Sequence, residues 1–253
     1  MRSLLSLTTL LFILVLAVPT GTAAQGLSGF IFSTYYECDI TLEAIVDDAL
    51  MSNVAPIYDR HVEEGSITEW SWSAHVIGGA WRRLAYFVTP DRASGMAARA
   101  SILETIQQEA PETAALVNRA CPKHDDYIWT VNQSSRVESP TDRAMPFTTG
   151  YYICQQAREA EADEAIRAAW APILEELVKD GKLTGWTWIA HDTGGMFRRA
   201  MSLSGSDHTS IMAARDELSN RLSGNNAASA LTGACGTHTD YAWRPVGGSG
   251  RTN

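Results

Sequence analysis

An internal duplication covers most of the chain and constrains its fold more than any other feature. Residues 35–99 align with residues 151–215 at a constant offset of 116, and 27 of the 65 aligned positions are identical without a gap. The match resumes at an offset of 114 between residues 121–129 and 235–243. Two copies with so long a period are unlike a solenoid, whose repeats are short and numerous. The duplication therefore predicts two homologous domains.

The N-terminus has the pattern of a secretory signal. Arg2 precedes an apolar run from Leu4 to Val18, and small residues follow up to Ala24. The run is shorter than the roughly 18–20 apolar residues that span a bilayer. We expect a secreted or periplasmic protein without a membrane span after cleavage. The predicted divisions are a signal peptide (1–24), a first repeat (25–131), a polar linker (132–146) and a second repeat (147–253) with a flexible tail from about residue 247.

Composition narrows the class of protein. The chain has 253 residues, of which 45% are hydrophobic and 19% charged, which is typical of a globular protein. Its formal net charge of −9 predicts an acidic surface that repels phosphate backbones. Nucleic acid is therefore not an expected partner.

The order of periodicities within one copy predicts a β-α-β-β-α-β unit. The strand candidates are 32–38, 67–75, 80–88 and 127–131, and the helical regions are 42–64 and 94–120. Gly78-Gly79 lies between the two middle strands and can supply the turn of a hairpin. Gly65 follows the first helical region, where a left-handed cap is expected.

This element order is that of the ferredoxin-like unit, in which the first strand lies antiparallel beside the last. Cys38 ends the first strand and Cys121 precedes the last, and Cys154 and Cys235 occupy the equivalent places. Of the three possible pairings of four cysteines, only Cys38–Cys121 with Cys154–Cys235 treats both copies alike. We therefore predict two structural disulfides, which persist in an oxidising compartment. The alternative, a zinc site, lacks the expected C-x-x-C spacing.

The hairpin carries the string Trp70-x-Trp72-x-x-His75-x-x-Gly78-Gly79-x-Trp81-Arg82-Arg83, most of which is repeated between Trp186 and Arg199. Two such units in one chain can cover each other's open sheet faces. The chain thus resembles a tandem member of the dimeric α/β-barrel superfamily, a resemblance of topology that covers about residues 30–130 and 147–245. It implies an α+β fold in which two ferredoxin-like repeats form an intrachain pseudo-dimeric barrel, with helices outside, and a monomeric protein.

Strand alternation sorts the side chains into two faces and yields the candidate site. Polar groups buried beneath helices are costly unless paired, so we predict that the polar face lines the barrel interior. The catalytic candidates are His75, Arg82 and Asp126 in the first copy and His191, Arg198 and Asp240 in the second. The aromatic candidates for ligand binding are Trp72, Trp188, Tyr127 and Tyr241. Imidazole can move a proton near neutral pH, and a guanidinium can bind an anionic oxygen.

Structural roles compete with each of these hypotheses. His75 can bind a loop carbonyl, Arg83 can stack on Trp72 or Trp81, and alternate tryptophans are usually core residues. Three functions stay open. The first is an exported barrel that binds a small molecule. The second is a cofactor-independent monooxygenase- or isomerase-like enzyme that acts on a small acidic or phenolic compound. The third is a haem-binding barrel.

Neither a metal nor any other cofactor is expected from the motifs. The chain has no G-x-S-x-G elbow and no glycine-rich phosphate loop, so nucleophilic hydrolysis and nucleotide binding are not predicted. His75 and His191 lack a nearby second histidine or glutamate at metal-ligand spacing. The resemblance adds a wider range of chemistry, because the superfamily includes antibiotic-biosynthesis monooxygenases, EthD-like and NIPSNAP-like proteins, chlorite dismutases and dye-decolourising peroxidases.

Overall fold

Each half of the chain has the element order β-α-α-β-β-α-α-β. The computed structural model describes residues 26–137 and 145–250; the predicted signal peptide and residues 138–144 of the predicted linker lie outside this part. The strands are β1 Phe30–Glu37, β2 Glu69–Ile77, β3 Arg83–Thr89, β4 Lys123–Arg136, β5 Phe147–Ile153, β6 Gly185–Thr193, β7 Arg199–Ser204 and β8 Thr237–Gly250. The helices are α1 Glu43–Asn53, α2 Ala55–Glu63, α3 Arg92–Glu109, α4 Pro111–Ala120, α5 Glu159–Ala165, α6 Ala171–Lys179, α7 His208–Leu222 and α8 Asn226–Ala234.

The strands form one closed antiparallel barrel in the order β1-β3-β2-β8-β5-β7-β6-β4. Within each half the first strand pairs with the last, β1 with β4 and β5 with β8. Two seams join the halves, one between β2 and β8 and the other between β4 and β6. The chain therefore has an α+β fold with an eight-stranded barrel.

The two seam strands β4 and β8 are longer than predicted. β4 continues through Arg136, opposite Gly185, and β8 continues to Gly250, opposite Glu69. Residues 132–136 and 247–250, expected to be linker and flexible tail, are thus paired strand. Polar and glycine-rich composition predicted a loop, but a barrel seam needs backbone pairing rather than apolar side chains. At Gly248 a Cβ would lie 2.6 Å from a β2 carbonyl oxygen, so the seam here requires glycine.

Prolines and glycines set the helix ends as expected from their backbone geometry. Pro56 and Pro111 lie in the first turns of α2 and α4, where the missing N–H is tolerated. The first helical region is therefore two helices, which meet at Val54. In the second half, a wide π turn, Ile166–Trp170, joins α5 to α6 instead. Gly65 has φ +77°, the left-handed cap that the sequence predicts.

The buried side chains form three apolar clusters. Two lie between the helices and the outer face of the sheet, one in each half. The third contains no helical residue and fills the barrel interior. Its aromatic members are Tyr35, Trp81, Tyr127, Trp129, Tyr151, Phe197, Tyr241 and Trp243. The interior is therefore an aromatic core, although Ser71 and Ser73 are also buried.

The two predicted disulfides, Cys38–Cys121 and Cys154–Cys235, are both confirmed. Each ties the end of a first strand to the start of the last strand in the same half. Closing loops with sequence separations of 83 and 81 residues stabilises each half by roughly 4–5 kcal/mol in the chain-entropy account. Disulfides of this kind are compatible with an extracellular or periplasmic protein.

Among residues 26–137 and 145–250, no helix has the length and apolar character needed to cross a membrane.

Candidate functional site

The β2–β3 hairpin is held to helix α1 by a buried ionic network, here called the hairpin clamp. Arg82 donates from Nε to Glu43 at 2.6 Å and from Nη1 to His75 Nδ1 at 2.7 Å. Arg83 donates to both carboxylate oxygens of Asp47, at 2.7 and 2.8 Å. The Arg83 side chain is only 4% exposed. Removing one partner from so buried a pair would leave an uncompensated charge.

The second half repeats the clamp almost atom for atom. Its members are His191, Arg198, Arg199, Glu159 and Asp163. Arg198 donates to Glu159 at 2.6 Å and to His191 Nδ1 at 2.8 Å, and Arg199 donates to Asp163 at 2.8 Å. The same contacts in both halves indicate a role in folding, which the halves share.

Ionisation within the clamp follows from its contacts. Burial alone would raise the pKa of Glu43, but the hydrogen bond from Arg82 and the charge of Arg83 outweigh it and lower that pKa. Burial, followed by the charge of Arg82, lowers the pKa of His75. Because Arg82 donates to Nδ1, the neutral imidazole carries its proton on Nε2.

The proton-bearing nitrogen of His75 faces the interior of the molecule. Nε2 is buried without a hydrogen-bond partner among the described residues. The ring packs edge-on against Tyr241 and Trp243 of the other half, with centroids 6.2 and 6.4 Å away. Since Nε2 carries the ring proton and the ring lies against two aromatic side chains, this histidine presents no free lone pair to a haem iron. His191 has the same environment, beside Tyr127 and Trp129.

The predicted convergence of Asp126 with His75 and Arg82 is wrong. Tyr127 and Trp129 of β4 point into the barrel, so Asp126 points outward, where it accepts a hydrogen bond from Thr34 at 2.6 Å. Strands β1 and β3 also lie between β4 and β2. Asp240 faces outward in the same way and pairs with Arg215 on α7. Alternation in one strand cannot say which of its faces turns inward, and this was the missing information.

The four aromatic candidates are all core residues. Trp72 and Trp188 pack beneath the helices and donate from Nε1 to Asp47 and Asp163, at 2.7 and 2.8 Å. They therefore belong to the clamps and do not line an open cavity.

Tyr127 and Tyr241 close the two seams between the halves. Each hydroxyl accepts a backbone N–H from the opposite hairpin, at 3.5 Å from Phe197 and Trp81 respectively. A Cβ on Gly78 would lie 2.4 Å from the Tyr241 ring, so the hairpin turn needs glycine for this close approach. The pKa of each tyrosine is raised, mainly by burial.

Asp126 belongs to a second, half-exposed group on the helix-bearing side of the sheet, here called the outer cluster: Tyr36, Arg99, His124 and Asp126. Nε2 of His124 and Nη2 of Arg99 each lie 3.6 Å from Oδ2 of Asp126. The Tyr36 and His124 rings are 5.8 Å apart. The Arg, His and Asp side chains are 43–50% exposed. The outer cluster thus presents a guanidinium, an imidazole and a carboxyl group to solvent.

The second half carries an equivalent outer cluster of Tyr152, Arg215, His238 and Asp240. Arg215 lies 2.9 Å and His238 3.8 Å from Asp240, and the Tyr152 and His238 rings are 5.3 Å apart. Burial raises the pKa of Tyr152 to about 12, so its hydroxyl stays protonated. The sequence analysis named only the aspartates as functional candidates, and the arginine, histidine and tyrosine of each cluster were not among them. Their signal was identity between the two copies.

A surface depression of about 390 Å³ adjoins the outer cluster of the first half. It is lined by Glu37, Pro122, Lys123, His124 and Asp125. Trp81 donates from Nε1 to Oδ2 of Asp125 at 2.7 Å, which links the depression to the aromatic core. Within the part of the chain that the structure describes, no three His, Cys, Asp or Glu side chains are placed to hold a metal ion.

Comparison with known proteins identifies the fold. No protein-family model and no curated protein sequence matches the chain. A putative monooxygenase from Fusobacterium nucleatum superposes with a TM-score of 0.59 at 11% identity, covering 91% of this chain and 96% of that one. A putative monooxygenase from Lactobacillus acidophilus gives 0.59 at 6% identity, with coverages of 87% and 95%.

A third solved structure, of an anthrone oxidase-like protein, gives a TM-score of 0.56 at 11% identity, covering 88% of this chain and 93% of that one. At such identities the likeness shows the fold alone, and that fold is the dimeric α/β barrel.

Proposed function

We propose that the chain is an exported small-molecule-binding α/β-barrel protein and that the two outer clusters are its ligand sites. In this proposal the halves are ferredoxin-like repeats, the protein is secreted or periplasmic, and one polypeptide supplies the whole barrel. The two disulfides and the pairing of first with last strand in each half support it.

The observation that carries the proposal is the exposure of a group that both halves retain. The clamps are retained and buried, so folding accounts for them. The outer clusters are retained but 35–50% exposed. Surface ion pairs contribute only about 0–1 kcal/mol to stability. Stability therefore gives little reason to keep an Arg-His-Asp group at both places, whereas ligand binding gives one.

The chemistry of each cluster suits a small acidic or phenolic compound. Arg99 and His124 can donate to a carboxylate or phenolate oxygen, which a guanidinium binds well. Asp126 can accept from a hydroxyl group, and the neighbouring Tyr36 ring offers an apolar surface. A hydroxyphenyl acid carries the three matching groups in one molecule: a carboxylate, a hydroxyl group and an aromatic ring.

Titration with 3-(4-hydroxyphenyl)propionate, followed by backbone amide NMR shifts, tests the proposal. We expect shifts at both outer clusters and two bound molecules per chain. Arg99→Ala should abolish binding in the first half, and Arg215→Ala in the second. The control is Arg60→Ala, because Arg60 is also a half-exposed arginine in an ion pair, with Glu109 at 2.7 Å. Binding that survives in the Arg99→Ala, Arg215→Ala double variant would contradict the proposal.

A second candidate is a cofactor-independent monooxygenase- or isomerase-like enzyme that works at the same clusters. The approach of His124 to the Asp126 carboxylate favours it, since such a pair can accept a proton from a phenolic substrate. Two of the structural neighbours are described as putative monooxygenases and one as anthrone oxidase-like. The test is oxygen uptake with anthrone, where one O₂ gives anthraquinone and water. Uptake that persists in His124→Ala, His238→Ala would exclude these histidines.

A further inference from the structure

We propose that the barrel interior holds a further binding site, which takes a small uncharged polyhydroxy compound such as a polyol. The site is separate from the outer clusters, because it lies on the inward face of the sheet. It occupies the end of the barrel at which β4 and β8 end, opposite to the end that carries the hairpin turns.

Six hydroxyl-bearing side chains face the interior at this end and are here called the hydroxyl wall. Ser33 lies directly opposite Tyr127, and Thr149 lies directly opposite Tyr241, and both tyrosines belong to the interior core. Residues directly opposite each other in a sheet share a face. The strand pairings place the other members on the same face, and the full wall is Ser33, Ser71, Ser73, Thr149, Thr187 and Ser202.

Both halves keep hydroxyl groups at two places in the wall although the residues differ. Ser33 corresponds to Thr149, and Ser71 corresponds to Thr187. A buried hydroxyl is costly unless it is hydrogen-bonded, whereas an alanine or valine would fill the same space without that cost. Packing therefore gives little reason for a hydroxyl group at these places, but a polar ligand gives one.

The chemistry of the wall suits a ligand that both donates and accepts hydrogen bonds. Thr149 and Ser202 lie 2.8 Å apart between their hydroxyl oxygens, and Ser71 and Ser73 lie 3.0 Å apart. A hydroxyl group has one donor and two acceptor sites, so each of these pairs can make further bonds. The hydroxyl groups of a polyol offer the same combination.

Two buried indole N–H groups adjoin the wall without a hydrogen-bond partner among the described residues. They belong to Trp129 and Trp243, which are equivalent in the two halves, fully buried and part of the interior core. Burial raises the pKa of Tyr35 to about 12, and Ser33 and Trp129 limit this increase, which places both beside the Tyr35 hydroxyl group. A buried donor without an acceptor is costly. Both indoles therefore favour an acceptor at the level of the wall.

Access to the wall follows from the exposure of inward-facing residues. Tyr127 and Tyr241, towards the hairpin turns, are buried. At the other end, several inward-facing side chains are only half-buried: Tyr86, Val131, Thr187 and Ser202. Because these side chains face inward, a small molecule can reach them through this end of the barrel.

The charges at this end favour an uncharged ligand. Arg136 donates from Nη1 to Oε2 of Glu69 at 2.6 Å, so the two charges neutralise each other at the mouth. In the second half Gly185 and Gly250 hold the equivalent places and carry no side chain. The hydroxyl wall itself is uncharged, and burying a charge against it without a counter-charge would be costly.

D-Sorbitol and D-gluconate form a matched pair of probes, because they differ only at C1, where sorbitol has a hydroxymethyl group and gluconate a carboxylate. Both are titrated into the Arg99→Ala, Arg215→Ala variant, which lacks the proposed acid sites, and followed by backbone amide NMR shifts. We expect sorbitol to shift amides of β2, β5 and β7 around the wall. Gluconate should bind there at least about tenfold more weakly.

Thr149→Val tests the wall directly, and Thr148→Val is its matched control. The two threonines are adjacent and both buried, but Thr148 faces away from the interior. We expect Thr149→Val to weaken sorbitol binding about tenfold, as for the loss of one buried hydrogen bond, and Thr148→Val to leave it unchanged. Melting temperatures verify folding. If Thr149→Val does not fold, Thr187→Val carries the same expectation, since Thr187 is only half-buried.

Three results would overturn the inference: no sorbitol-dependent shifts around the wall, equal binding of gluconate there, or unchanged sorbitol binding in the folded valine variants. Failure of the proposed function has a different signature. If sorbitol binds inside the barrel but the hydroxyphenyl acid does not bind at the outer clusters of the wild-type protein, only the proposed function is wrong.

Discussion

The hairpin clamps are alike in the two halves of the barrel, whereas the surface beside the two outer clusters is not. In both hairpin clamps the shortest contact of each arginine with a carboxylate is 2.6–2.8 Å, at positions 116 residues apart. At the first-half depression, by contrast, four of the five lining residues have been replaced. Duplication therefore separates the contacts that the fold needs from those that one half has acquired.

Removing a disulfide from one half at a time tests whether the halves are equivalent, and its expected effect is the largest. Each closes a loop of nearly the same length, with sequence separations of 83 and 81 residues. We expect the Cys38→Ala, Cys121→Ala variant and the Cys154→Ala, Cys235→Ala variant each to lose about 4 kcal/mol of unfolding free energy. Urea denaturation measures both losses. A large loss in one variant and a negligible loss in the other would show that the halves are not energetically equivalent.

The hairpin turns test the seams between the halves. Gly78 has φ +145°, and a Cβ there would lie 2.4 Å from the Tyr241 ring, so Gly78→Ala combines backbone strain with a clash. We expect a loss of about 2–3 kcal/mol in unfolding free energy. Gly181→Ala is the control, because φ is +72° but no atom lies within 4 Å of the added Cβ.

Strain alone at Gly181 should cost about 1 kcal/mol. The same unfolding assay compares the two alanine variants. If Gly181→Ala destabilises as much as Gly78→Ala, the packing of Tyr241 on the turn is not important to the seam.

Acidification should destabilise the first half through its clamp. The expected loss of unfolding free energy is smaller than in the disulfide and glycine variants. The folded-state pKa of His75 lies below the ordinary value of 6.5, so its contribution is fully present above that pH and declines as the pH falls. Glu43, whose pKa lies below 4.5, loses its contribution at lower pH still. The urea midpoint, measured from pH 7.5 to 4, should therefore fall first where His75 becomes protonated and again, at lower pH, where Glu43 becomes protonated.

His75→Gln removes only the histidine's own titration, because a glutamine side chain can still accept a hydrogen bond from Arg82 but cannot be protonated. The variant should therefore keep a flat profile down to about the range where Glu43 titrates. A wild-type profile that is itself flat from pH 7.5 to 5 would argue against an enclosed neutral His75.

The architecture could be predicted from the sequence because duplication and periodicity act on whole elements. The cysteine pairing followed from the strand order and from the symmetry of the two copies, and the Gly65 cap followed from local geometry. The site was harder to predict, because alternation places Asp126 opposite Tyr127 without saying which faces inward. The aromatic face turned inward in β4 because Tyr127 packs on the opposite hairpin. No single-strand pattern contains that long-range contact.

Unfolding free energies of Arg83→Met and Arg99→Met, measured side by side, test most directly whether burial separates folding contacts from binding contacts. The two arginines are both identical between the halves and both face a carboxylate, but Arg83 is 4% exposed and Arg99 is 43% exposed. The account predicts a loss of about 3–5 kcal/mol for Arg83→Met and less than about 0.5 kcal/mol for Arg99→Met. Comparable losses would contradict it, because the outer cluster would then be a structural element as well.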